Sequence, residues 1–156
     1  MDDNKDKEKI LVIDFGSQVT KLIARRIRDL GFFSEVITIS NFNNIKDFKL
    51  IKDIILSGGP STVTKKNFPK ISKKIFLKKI PILGICYGLQ LITKILGGKV
   101  NSINSKREFG RAILIEKKKS KLTKDFFIKK KNVVWMSHQD SVQALPNGFI
   151  KIAATQ

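Results

Sequence analysis

Pro81–Gly98, PILGICYGLQLITKILGG, is the stretch on which the reading of the whole chain turns. Pro81, Ile82, Leu83 and Ile85 have the compact apolar character of a buried strand. Leu89, Ile92 and Leu96 then recur at helical spacing before the stop of Gly97-Gly98. Between the two lies Cys86, the only cysteine in 156 residues. Gly84 and Gly88 stand two positions to either side, which is the G-x-C-x-G form of a nucleophile elbow, a sharp turn from strand into helix. The spacing has a steric cause, because side chains beside a nucleophile on such a turn would collide with the segments that cross there. A helix starting just after Cys86 also aims free N–H groups at the sulfur, an environment that suits an anion. A lone cysteine is more often a small core hydrophobe than a nucleophile. The flanking glycines, the strand before and the helix after favour chemistry over burial.

Outward from that stretch, the preceding sequence alternates. Ile10 to Ile13 is an apolar run ending in Asp14-Phe15-Gly16-Ser17, a buried strand and a turn. Ser17 is placed to cap a helix with Ile23, Ile27 and Leu30 inward and Gly31 as its stop. Phe33 to Ile39 reads as a second strand and Asp53 to Leu56 as a third, emptying into Ser57-Gly58-Gly59-Pro60-Ser61, which continues neither strand nor helix. Ile71 to Lys79 reads as a short helix with Ile71, Ile75 and Leu77 inward. This alternation predicts an α/β fold with a doubly wound, mostly parallel sheet, helices on both faces and sites at the carboxyl ends of strands. Asp14 to Gly16, Ser57 to Gly59 and Cys86 all fall at that edge. Beyond Val100 the pattern loosens: Ile113 to Ile115, Val133 to Met136 and Ile150 to Ala154 read as strands, with a lysine-rich connection between the first two.

Composition bounds the rest. The length suits one domain with a real core, here residues 10–156 behind a polar tail over 1–9. A single cysteine leaves no internal disulfide framework. The opening MDDNKDKEKI lacks the apolar run of a secretory leader, and no later run is long enough to span a bilayer, so a soluble cytoplasmic protein with no membrane partner is expected. The net charge of +18 suggests phosphate or nucleic acid. Yet Arg25, Arg26, Arg28, Arg107 and Arg111 are the only arginines among 31 basic residues, which argues against base-specific readout. Lysine, isoleucine, asparagine and phenylalanine also share AT-rich codons, so solvated faces under coding bias explain the charge with no nucleic-acid partner. A non-catalytic basic binding module stays open as the alternative. No zinc-ligand spacing or phosphate loop is present, and no metal is expected.

GICYGLQ around Cys86, SGGP at Ser57 to Pro60 and MSHQD at Met136 to Asp140 together resemble the class I, or triad-type, glutamine amidotransferases. IDFGSQ, LIARRIRDLG, REFGRA at Arg107 to Ala112 and VWMSHQD narrow the resemblance to the amidotransferase domains of bacterial GMP synthases, rather than to those of another pathway. That resemblance implies a flavodoxin-like fold. It implies that Cys86 attacks the side-chain amide of glutamine to form a glutamyl thioester, with the backbone N–H groups of Gly59 and Tyr87 as oxyanion hole. Gln90 matches a position that contacts glutamine, with a polar residue closing its helix as the structural alternative. Ser137, His138, Gln139 and Asp140 match a segment bordering the same pocket, so His138, the only histidine, is read there rather than as general base. Val19 and Lys21 replace the tyrosine and glutamine usual in the family, and Gln139 replaces a glycine. No cofactor is implied for this domain. ATP and Mg²⁺ belong with an ATP-pyrophosphatase domain that would use the ammonia to aminate XMP, in an enzyme expected to be a homodimer. The family's catalytic histidine and glutamate lie in a His-Pro-Glu motif expected beyond Gln156. The chain is therefore read as a C-terminally shortened piece with an incomplete sheet and little or no glutaminase activity alone.

Overall fold

The computed structural model describes residues 7–102, 108–138 and 140–155. They form two compact units, Met1–Leu96 and Gly97–Gln156.

In the first unit, strands β1 (Lys9–Asp14), β2 (Ser34–Thr38), β3 (Ile51–Leu56) and β4 (Ile82–Gly84) form one sheet in the order β2-β1-β3-β4, every pair parallel. Strand β1 is central, and Leu11, Val12 and Ile13 are all buried; an unbroken apolar run is what a strand covered on both faces requires. Helix α1 (Thr20–Asp29) brings Ala24 and Ile27 onto Val12, with Ile10, Ile23 and Ile55 packed around them. Leu11, Ile13, Ile54 and Leu56 are buried on the opposite face, where helix α3 (Tyr87–Ile95) approaches so closely that a Cβ on Gly88 would stand 2.7 Å from the Leu56 Cβ. A short helix α2 (Ile39–Asn43) follows β2. The expected doubly wound arrangement with a parallel sheet is thus what these residues build.

Several local expectations are corrected. Ser17 does not cap α1. Val19 holds the cap position without a side-chain bond, because Asp14 organises the turn instead: its Oδ1 accepts from the Gly16 N–H at 2.8 Å and the Thr20 hydroxyl at 2.9 Å. Leu30 lies past the last helical turn and is 75% exposed, while Gly31, at φ +86°, does end the helix. The third strand begins at Ile51, earlier than Asp53. The segment read as a helix over 71–79 is a 3₁₀ turn, Lys73–Lys78; Ile71 and Ile75 are buried, but Leu77 is 79% exposed, since three residues per turn carry it off the inward face.

In the second unit, β5 (Lys99–Ser102) pairs antiparallel with β8 (Asp140–Ala144). A second sheet sets β6 (Glu108–Glu116) between β7 (Lys131–His138) and β9 (Ala153–Thr155), again antiparallel. The strand read over 150–154 is thus displaced to Ala153–Thr155. Phe109, Ile113, Val133 and Trp135 are exposed on this ribbon, as the alternation of side chains across a two-faced strand dictates. No helix among the described residues is long and apolar enough to cross a membrane.

Candidate active site

Strand β4 ends at Gly84 and α3 begins at Tyr87, so the chain reverses within two residues. Cys86 absorbs the reversal at φ +49°, ψ −109°, a conformation costing a non-glycine residue on the order of 1–3 kcal/mol. Backbone bonds from the neighbouring strand hold it there. The Ile85 N–H donates to Leu56 O at 2.9 Å, and the Gly88 N–H donates to Ser57 O at 3.1 Å and to Ile85 O at 3.0 Å. Contacts this close leave no room for side chains. A Cβ on Gly84 would stand 2.6 Å from the Leu89 nitrogen, and one on Gly88 would stand 2.2 Å from Leu56 O. The glycine spacing around Cys86 is therefore a consequence of two main chains in contact, and the thiol it presents is exposed.

The glycine loop after β3 lies against the cysteine. A Cβ on Gly58 would stand 3.5 Å from the Cys86 Cβ and 3.6 Å from Ser17 Oγ; one on Gly59 would stand 2.3 Å from Phe15 O. Among the described residues, neither the Gly59 nor the Tyr87 N–H is taken up by a partner. For Tyr87 this follows from its place at the first turn of a helix, whose donors have no acceptor within the helix. Two backbone donors and a thiol on one edge of a sheet can bind an oxyanion beside a nucleophile.

The Tyr87 side chain turns inward. Its ring, 2% exposed, lies with its centroid 5.1 Å from that of Phe15, and its hydroxyl donates to the Pro69 carbonyl. Burial pushes the phenol up to about 12. Gln90 is buried one turn beyond Cys86, its N–H donating to Cys86 O at 3.1 Å. Leu89, expected on the inner face, is 45% exposed; Leu91 and Ile92 take that face.

Cys86, Gly59, Tyr87 and Gln90 thus belong to the first unit. The other expected site residues belong to the second. Ser137 is exposed on β7 opposite Phe109, the His138 backbone pairs with Glu108, and Asp140 is buried on β8 opposite Ser102. Gln139 lies outside the described residues. Sequence alone gives Ser57 no role beyond its place in the glycine loop, yet it is fully buried and hydrogen-bonded to Ile13 and Phe15 at the end of β1 and to Gly88 in the first turn of α3.

Comparison with known proteins places this geometry in context. Residues 11–156 match the family described as glutamine amidotransferase class-I. The chain is 52% identical over 149 residues to a GMP synthase [glutamine-hydrolyzing] of Prochlorococcus marinus, covering 94% of this chain and 28% of that protein. It is 48% identical to one from Brachyspira hyodysenteriae, covering 95% and 28%. The chain therefore spans under a third of these relatives' length. Among solved structures, a protein described as one component of a GMP synthase, from Thermoplasma acidophilum, superposes with a TM-score of 0.77 at 25% identity, covering 96% of this chain and 73% of that one. A glutamine amidotransferase from Thermotoga maritima gives 0.75 at 20%, covering 93% and 66%, and shows the shared fold.

Two outcomes follow. Gly88→Ala should lower unfolding stability by about 3 kcal/mol in denaturant titrations, because the added methyl overlaps main chain that cannot yield. Tyr87 ionises less readily folded than unfolded, so its contribution is fully present below the ordinary value of 10.0 and lost as pH rises through about 12. Unfolding midpoints measured across that range should fall, and the fall should be shallower in Tyr87→Phe.

Proposed function

The chain belongs to the class-I glutamine amidotransferases, and from that membership we infer that it is the glutamine-hydrolysing part of a GMP synthase. The observation that carries this reading is Cys86, exposed on a positive-φ elbow with the Gly58-Gly59 loop against it. The Cys86 thiol gives its proton to a general base and the sulfur attacks the side-chain amide carbon of glutamine, the base then holding the proton that the leaving nitrogen will need. The carbonyl oxygen becomes an anion, held by the N–H groups of Gly59 and Tyr87; one such donor is worth about 3 kcal/mol in related chemistry. Collapse of the tetrahedral species breaks the C–N bond, and the nitrogen leaves as ammonia once a general acid protonates it. A glutamyl thioester stays on Cys86. Water then cleaves it to glutamate, so one hard amide hydrolysis becomes two easier steps.

Gln90, buried one turn beyond Cys86 in the same unit, takes the role of contacting glutamine. The ammonia goes to an ATP-pyrophosphatase domain, where ATP and Mg²⁺ activate XMP for amination to GMP. No residue of this chain is asked to hold either. Support for this wider reading is the identity of about half across nearly the whole chain to GMP synthases.

The test uses glutamine isotopically labelled at its amide nitrogen and a full-length polypeptide that carries this chain together with the His-Pro-Glu segment and the ATP-dependent amination domain of the proposed enzyme. Label should appear in GMP. Cys86→Ala should reduce glutamine-driven product on the order of 10⁴-fold or more while sparing synthesis from free ammonium. Glutamine-driven product unchanged in Cys86→Ala would refute the assignment.

A further inference from the structure

We propose that the Ser57 hydroxyl is a positioning latch: it fixes the peptide between Gly58 and Gly59 so that the Gly59 N–H faces the reacting oxygen beside Cys86. The inference rests on the reading above, in which Gly59 is an oxyanion donor, and extends it to the residue that aims the donor.

The carbonyl of Gly58 and the N–H of Gly59 belong to one peptide unit, and in a planar trans peptide they point in opposite directions. Whatever holds the carbonyl therefore aims the N–H. Ser57 is 0% exposed, and its hydroxyl donates to Gly58 O at 2.9 Å while accepting from the Phe15 N–H at 3.2 Å. The carbonyl is thereby tied to the buried seam between the ends of β1 and β3, and the N–H is directed away from that seam. A constraint is needed here because glycines on both sides leave the peptide unusually free to rotate. At Gly59 a side chain cannot supply the stiffness, because a Cβ there would stand 2.3 Å from Phe15 O; at Gly58 a Cβ would lie in ordinary contact with the Cys86 Cβ, 3.5 Å away. The latch also polarises the amide, since a bond accepted at the carbonyl strengthens donation by the N–H of the same unit. Ser57 is itself fixed by its main chain. Its N–H donates to Ile13 O at 3.1 Å, and its carbonyl accepts from the Gly88 N–H at 3.1 Å. The residue aiming one oxyanion donor is thus bonded directly to the helix start that carries the other.

The test follows covalent labelling of Cys86 in the full chain, read by mass spectrometry of the Cys86 peptide, with a chloromethyl ketone built on glutamine and with iodoacetamide as a reagent indifferent to the oxyanion hole, and records the Gly59 amide nitrogen shift by NMR. In Ser57→Ala, kinact should fall roughly tenfold with KI unchanged, part of the loss known for deleting a donor outright. The iodoacetamide rate should hold, and the Gly59 resonance should move while amides of α1 stay in place. An unchanged kinact with an unmoved Gly59 resonance would overturn the latch and leave the amidotransferase reading standing. A wild-type chain that reacts no faster with the ketone than with iodoacetamide would bring down that reading and the latch with it. Should Ser57→Ala fail to fold, Ser57→Cys, nearly isosteric and a weaker donor, decides: a lowered kinact supports the latch and a wild-type value overturns it.

Discussion

The main chain of Leu56 and Ser57 runs in direct contact with the main chain of the elbow, and the rest of the site depends on that contact. Leu56 O accepts from Ile85 and Ser57 O from Gly88, each within ordinary hydrogen-bond length, and a single methyl on Gly88 would penetrate Leu56 O. Two backbones meet at this distance only where side chains are missing. The consequence is positional. The turn cannot relax outward without breaking bonds to β3, so Cys86 is kept at a dihedral it would otherwise avoid. The glycine loop, which is the continuation of β3, is delivered to the same place by the same strand. Cys86 and the Gly58-Gly59 loop are neighbours because they leave adjacent parallel strands at the same edge.

Buried polar bonds refine what packing sets roughly. Ser57 joins the end of β1, the glycine loop and the first turn of α3; Tyr87 reaches from the elbow to Phe15 and to the Pro69 carbonyl. Phe15 sits between them, its N–H on Ser57 and its ring against Tyr87. Losing either partner of such a bond strands a buried polar group, which costs more than the bond itself is worth. Surface charge contributes far less. The ion pairs Lys9–Glu35, Lys52–Glu8 and Arg26–Asp29 all involve partly or largely exposed side chains, and such pairs are worth about 1 kcal/mol or less.

Much of this is legible in the sequence, for reasons that also mark where legibility stops. The apolar run at Leu11 to Ile13 announces a strand covered on both faces, and G-x-C-x-G announces the elbow, because burial and backbone contact each impose a pattern on residue type. Leu30, Leu77 and Leu89 escape such a reading because apolar spacing gives the phase of a helix but neither its ends nor its pitch: one falls beyond α1, one lies on a 3₁₀ turn and one sits on the outer side of α3. Ser17 has the composition of a cap, but its competitor, Asp14, lies in the preceding strand. A serine beside two glycines reads as loop, and only the folded chain places the Ser57 hydroxyl between Phe15 and Gly58. The Ser137–Asp140 segment is grouped with Cys86 by resemblance alone; its described residues form antiparallel strands of the second unit.

If Cys86 is a nucleophile in a pocket shaped for glutamine, its reactivity must depend on the handedness of the reagent. The comparison is labelling of Cys86 by the L- and D-enantiomers of a glutamine-derived chloromethyl ketone, followed by mass spectrometry of the Cys86 peptide with and without competing glutamine. The L-form should label faster by a wide margin, and free glutamine should slow it. Equal rates for the two enantiomers, indifferent to glutamine, would reveal an exposed thiol with no pocket around it and would contradict the amidotransferase site.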